Sequence, residues 1–465
     1  MAKVTAWARM SDLHVATVIS TMSRKVIVVG AGVSGIAAGV ELQQRGFDVT
    51  LLEKNDYVGG RVQSVSRDGF VMEKGASILP SNYRNILDCL QAQGLSALLQ
   101  PGGSKVGFAR GNEIHNLDSA RLGLDALTTK LISFPSKLKM LNLIVDNFRA
   151  KSSLSYENGG LAARFDTESA AEYCRRRLNP ELLEYIVEAT LRGMLGTPAE
   201  DNSIVDFYFA FNNVIGSKLY SMQGGMGTMP NAIAKTVGLK IELNTLVNEV
   251  VEGNGRVSVS YSGPQGERNE DVDGVVMTLP ANHVTKILPG FPQHSIDFLK
   301  TVDYTRVISV NLALSAPPPN QPSFVIQIPR SVQPDLFAIV LDHNKAPGRT
   351  PPGKGMASLY TMSAWAEKLL PLDDDTVLRK TLAAAERVLP HLGDKIEFVN
   401  INRWNEVIVY GRKGLYQATA KFIAGLDPNS RIKLGGDYFS CGNMNTSFAA
   451  GERAARELAQ TLGMS

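Results

Sequence analysis

The chain of 465 residues is long enough for two or three domains, each with a core of its own. Its 44% hydrophobic and 20% charged residues exclude an intrinsically disordered protein, and a net charge of +3 gives no reason to expect a nucleic-acid partner. Cys89, Cys174 and Cys441 are far apart and form no CxxC pair, which argues against a redox disulfide or a structural zinc and suits a reducing compartment.

Residues 1–22 carry neither the apolar core nor the cleavage site of a secretory signal, and Asp12 among few basic residues is unlike a transit peptide. They read as a disordered extension. No apolar run reaches the ~18 residues of a membrane span, so the expected location is the cytoplasm. From Lys25, "KVIVVGAG" reads as a buried strand, "VSGIAAGVELQQRG" as a helix ended by Gly46, and "FDVTLLEK" as the next strand. This is a βαβ unit.

From Asn82 to Lys218 the pattern turns helical, as in "NYRNILDCLQAQGL", "SAAEYCRRRL" and "PELLEYIVEATLRGML". Within it, Lys130 to Lys151 holds an excess of four positive charges over apolar residues at helical spacing. An amphipathic helix with a solvated basic face is the simpler reading, and a membrane-surface helix admitting a lipophilic substrate is the alternative. A glycine-rich loop and short helix follow, "SMQGGMGTMPNAIAKTVG", then strand-like "KIELNTLVNEVVE", "RVSVSYSG" and "DGVVMTLPA". Short strands return between Tyr304 and Met362, a helix runs near "DDDTVLRKTLAAAERVL", and a strand, loop and helix close the chain. The expected fold is α/β: a doubly wound dinucleotide-binding domain (23–81, 218–295 and 398–465) interleaved with a substrate domain of mixed sheet and helices (82–217 and 296–397).

The stretch "VIVVGAGVSGIAAGVEL" carries the chemistry. Gly30 permits a tight turn, Gly32 lets backbone approach a pyrophosphate, and Gly35 brings the helix close to the sheet. The helix N-terminus, opened by Val33 and Ser34, faces the phosphate charge. Glu53, ending the next strand, is the acid that accepts ribose hydroxyls, with Lys54 beside it. Just past it, Gly59, Gly60 and Arg61 add close backbone approach and a guanidinium for phosphate.

This extended signature, "LLEKNDYVGGRVQS", resembles that of the amine oxidase, protoporphyrinogen oxidase and phytoene desaturase superfamily of flavoproteins, and the resemblance runs over nearly the whole chain from Lys25. It implies FAD, non-nicotinamide chemistry and further cofactor contacts. Gly75, Ala76 and Ser77 in "FVMEKGASILP" would lie nearest the isoalloxazine, and Val247 would meet the adenine with its backbone. Gly436 and Asp437, then Met444 and Asn445 at the head of the last helix, would complete the set, the helix N-terminus facing the flavin. The loop "GGMGTMPNAIA" resembles the glycine–methionine loop of the family.

The resemblance also implies catalytic candidates and departures. Trp404 would approach the flavin, with Tyr416 or Tyr410 in its company. Ser309 stands where amine oxidases carry a lysine, and Asn443 where they carry an aromatic cage wall. Both departures point from amine oxidation towards the porphyrinogen oxidase and polyene desaturase side. The implied reaction is two-electron dehydrogenation of a C–N or C–C bond by hydride transfer, with oxygen or another external acceptor. A small organic substrate, apolar or ring-bearing, is expected, and no metal or nucleic acid. A flavin-dependent isomerase and a catalytically silent flavin-binding protein are the alternatives. Six scattered histidines read as structural or solvated, with His343 the one to watch.

Overall fold

The computed structural model describes residues 23–121, 125, 128–214 and 217–464; the extension expected over 1–22 lies outside them. Five strands form a parallel sheet in the order Lys240–Glu242, Asp48–Leu52, Lys25–Val29, Gly274–Met277, Ile432–Leu434. The central strand is buried on both faces, which is why its sequence is continuously apolar rather than alternating. On one face Val26 and Val28 pack with Ile36 of the helix Val33–Gln44 and with Phe448 and Leu458 of the helix Met444–Thr461. On the other, Ile27 and Val29 join Val257 and Val259 of a three-stranded antiparallel sheet, Leu246–Gly253, Arg256–Gly263 and Gly266–Val272. Sheet with layers on both sides is the doubly wound architecture that the sequence pattern implies.

A second sheet has seven strands, ordered Ile396–Trp404, Val307–Leu314, Gly355–Thr361, Leu336–Leu341, Val325–Gln327, Lys105–Arg110, Glu113–Asp118. All its pairings are antiparallel except Val325–Gln327 with Lys105–Arg110. The strand Ile396–Trp404 belongs here, so a domain boundary at residue 398 falls inside a strand. The helices Phe134–Ala150, Ala170–Arg177, Ala189–Leu195 and Ile204–Val214 share a core of Leu143, Tyr173, Leu191 and Phe207.

The single helix expected over "PELLEYIVEATLRGML" is interrupted. Residues Leu183–Glu188 form a π-helical turn before Ala189–Leu195. Across this widened turn Glu184 accepts from the Ser331 amide at 2.9 Å and Glu188 pairs with Arg330 at 2.6 Å. Tertiary partners of this kind leave no mark in helical periodicity. Among the described residues, no helix is long and apolar enough to cross a membrane.

Candidate functional site

The turn after the first strand is built from glycines with distinct duties. Gly30 adopts φ +97° and its amide donates to the Leu52 carbonyl at 2.8 Å, tying the turn to the neighbouring strand. A Cβ on Gly35 would stand 1.9 Å from the Gly30 carbonyl oxygen, so only glycine lets the helix approach the turn. Gly32 differs. A Cβ there would meet no atom within 4 Å, and its φ of −69° suits any residue.

Gly32 also heads the helix Val33–Gln44 without a side-chain cap, and the hydroxyl of Ser34 is buried with no partner. Gly59, at φ +104°, donates to the Ala31 carbonyl at 2.8 Å, and Gly60 lies beside Gly32, its would-be Cβ 3.4 Å from the Gly32 Cα. The result is a glycine-walled cradle with free helix amides, fitted to a pyrophosphate. Glu53 is buried at its edge, accepting from the Ala31 amide at 2.8 Å and from the Asn55 amide at 2.9 Å. The Asn55 side chain adds a second bond to the same Oε1 at 2.6 Å, so it is Oε2 that keeps acceptor capacity for a ribose hydroxyl. Lys54 beside it is exposed.

Arg61 and Asp437, from opposite ends of the chain, meet as an ion pair of 2.8 Å. Burial opposes the Arg61 charge, but Asp437, Tyr304 and Glu406 together outweigh it and hold the guanidinium pKa above the ordinary arginine value. The Tyr304 hydroxyl donates to the same carboxylate at 3.2 Å, and the Arg61 guanidinium lies 5.6 Å over the Tyr304 ring. Tyr304 is a neighbour of the site that sequence reasoning misses, since nothing local marks it. Gly436 takes φ +121° ahead of Asp437.

A second cluster gathers on the Lys74 carbonyl. The Trp404 indole donates to it at 2.7 Å and the Ser309 hydroxyl at 3.3 Å. Gly75 follows, where a Cβ would fall 2.1 Å from the Arg61 carbonyl oxygen, and the Ala76 amide donates to that oxygen at 3.3 Å. Ser309 also accepts from the Asn402 amide group at 3.2 Å, which bonds Asn311 in turn at 3.1 Å. The Ser77 hydroxyl accepts from Lys345 at 3.0 Å, and Lys345 pairs with Asp342 at 2.5 Å, both fully buried. Trp404, Ser309 and the Gly75–Ser77 segment are therefore brought together.

Other candidates are held by partners of their own. Val247 is buried in the three-stranded sheet opposite Tyr261. Asn443 caps the last helix, accepting from the Thr446 amide at 2.8 Å. Met444 opens that helix, while the Asn445 side chain turns to Asn85 at 3.1 Å and the Ile86 amide at 3.4 Å. Tyr416 is buried with its hydroxyl on Asp206 at 2.5 Å, and Tyr410 reaches Asp201 at 2.5 Å. Burial pushes the Asp206 carboxyl up to about 8. His343 has its ring on the Met356 backbone at 3.2 Å, and burial lowers its pKa.

A doubly wound sheet whose first helix opens on an uncapped glycine cradle, with an acid following the second strand, defines a dinucleotide-binding protein. The family model for flavin containing amine oxidoreductases matches residues 33–459, and the chain belongs to that family. It is an FAD-dependent enzyme. Among curated relatives, the coproporphyrinogen III oxidase of Staphylococcus aureus is 23% identical over 94% of this chain and 99% of its own. Protoporphyrinogen oxidase 2 of Arabidopsis thaliana is 22% identical over 93% and 92%. The structure of cyclohexylamine oxidase from Brevibacterium oxydans superposes with a TM-score of 0.73 at 17% identity, covering 95% of this chain and 100% of that one.

Proposed function

We propose that the enzyme dehydrogenates an apolar, ring-bearing substrate of porphyrinogen or polyene type at a C–C or C–N bond, passing a hydride to FAD that oxygen or another external acceptor then reoxidises. The observation that carries this reading is the neutral character of the strand face beneath the Lys74 carbonyl. Ser309, Asn311, Asn400 and Asn402 occupy it as a hydroxyl and amide network, Asn400 bonding Asn311 at 3.0 Å. No lysine stands at Ser309 to serve an amine. Full-length likeness to two porphyrinogen oxidases supports the same side.

The hydride acceptor is supplied by FAD, for which Gly32, Ser34, Glu53, Gly59, Gly60 and Arg61 form the fitting cradle. The chain itself contributes orientation and dryness. Trp404 is fixed through its indole N–H, and the hydroxyl and amide network runs from Asn311 through Ser358 to the buried Asp342–Lys345 pair, which gives the proton lost with the hydride a place to go.

The test follows flavin absorbance under anaerobic conditions while porphyrinogens, polyenes and amines are added separately. Bleaching by a porphyrinogen or polyene is expected. Bleaching by amines alone overturns the substrate reading, and isomerised product without bleaching or acceptor overturns net oxidation.

A further inference from the structure

The helix Phe134–Ala150 buries one face through Ser136, Leu143, Asn147 and Ala150. Its opposite face is apolar and in water. Phe134 is 71% exposed, Leu138 55%, Leu141 58%, Val145 47% and Phe148 77%, with Ile144 beside them at 48%. At about 100° per residue, the first five fall within an arc of about 80° along the whole helix. These six are the majority of the nine large hydrophobic side chains exposed among the described residues. Singly exposed apolar residues are ordinary, but a contiguous stripe with a phenylalanine at each end marks a surface that something covers.

Cations flank the stripe. Lys137 lies on one edge and Arg149 on the other, with Lys139 and Lys151 further round. Lys137 and Lys139 donate to the Thr129 and Leu178 carbonyls, each at 2.8 Å. The one acid of the helix, Asp146, is engaged by Arg177 at 2.9 Å, Arg149 at 3.3 Å and the Tyr173 hydroxyl at 3.0 Å. Alongside lies a cavity of about 470 Å³ lined by Lys139, Arg175, Leu178, Asn179, Pro180 and Leu183. It sets two cations above an apolar wall, and Arg175 stands a long 3.9 Å from the carboxylate of Glu200.

We propose that this face docks on an anionic phospholipid bilayer, the stripe entering the headgroup–acyl boundary while the cations on and beside the helix draw the anionic headgroups. Charge selects this occupant. A second copy meeting the same stripe would bring two positively flanked helices together, whereas an anionic surface complements both flanks at once. Docking of this kind is independent of which substrate the enzyme oxidises.

The test is co-flotation of the FAD-loaded enzyme with vesicles of phosphatidylcholine alone or mixed equally with phosphatidylglycerol. Binding to the mixed vesicles is expected, weaker by about tenfold or more without phosphatidylglycerol and falling as salt rises. Leu141→Glu with Phe148→Glu should abolish it, and Lys139→Glu with Arg175→Glu should weaken it by about tenfold or more. All four positions are exposed, so the flavin spectrum and melting temperature should not move. Wild type that stays off phosphatidylglycerol vesicles, binding that ignores lipid charge and all the substitutions, or a dimer dissociated by the stripe variant would each overturn the proposal.

Discussion

Gly32 and Gly35 are a single helical turn apart and are glycine for opposite reasons. At Gly35 the chain itself fills the space, the Gly30 carbonyl oxygen standing 1.9 Å from a would-be Cβ. At Gly32 the chain leaves the space open on the side of the uncapped helix amides. Gly32→Val should therefore purify without flavin and melt like flavin-free wild type, because the side chain takes the place of the pyrophosphate without crowding the chain. Gly35→Ala should lower stability with or without added FAD, by about 1–3 kcal/mol from overpacking. Visible absorbance and thermal unfolding of both proteins separate the two cases; a flavin-loaded Gly32→Val would remove Gly32 from the cradle. The glycine motif is legible because its constraints are local in sequence. The Tyr416–Asp206 contact is not, since the partners are 210 residues apart and neither type is unusual for its element.

Among the elements, the parallel strands can be read from their unbroken apolar runs, since burial on both faces removes alternation. The head of the last helix is legible in position but not in local chemistry. Asn443 follows from family position as a pocket wall, whereas in the structure its carboxamide serves the backbone. Its oxygen accepts from the Thr446 amide at 2.8 Å and its nitrogen meets Cys441 Sγ at 2.9 Å. An Asn at this place satisfies one of the amides that a helix start leaves unpaired. Asn443→Ala should cost about 1 kcal/mol in the flavin-free protein, and Asn443→Asp should restore most of it because a carboxylate caps equally well. Thermal melts of the flavin-free variants check this, and equal melting of Asn443→Ala and wild type would count against the cap.

At the scale of the whole molecule, interleaving of the chain is legible from the alternation of segments, but what locks the pieces together is not. Glu73 ends the hairpin of Ser64–Arg67 and Phe70–Glu73, and Arg349 lies between two strands of the seven-stranded sheet. They pair at 2.6 Å with both side chains 1% exposed. Glu73 also accepts from the Met226 amide at 3.1 Å, and Arg349 reaches the Ser221 hydroxyl and the Met222 carbonyl, the latter at 3.2 Å. One buried pair thus joins the glycine–methionine loop, the hairpin leading to Gly75 and the larger sheet. Removing one member leaves the other as an uncompensated buried charge, which outweighs the loss of the contact itself. Arg349→Met should destabilise by about 3–5 kcal/mol, and Glu73→Gln by a similar amount. The double variant should cost clearly less than the two singles together, since neither charge then remains. Urea unfolding of the four proteins gives the coupling directly. A sum that is simply additive would mean that each side chain holds its own neighbours, and that the pieces are fastened elsewhere.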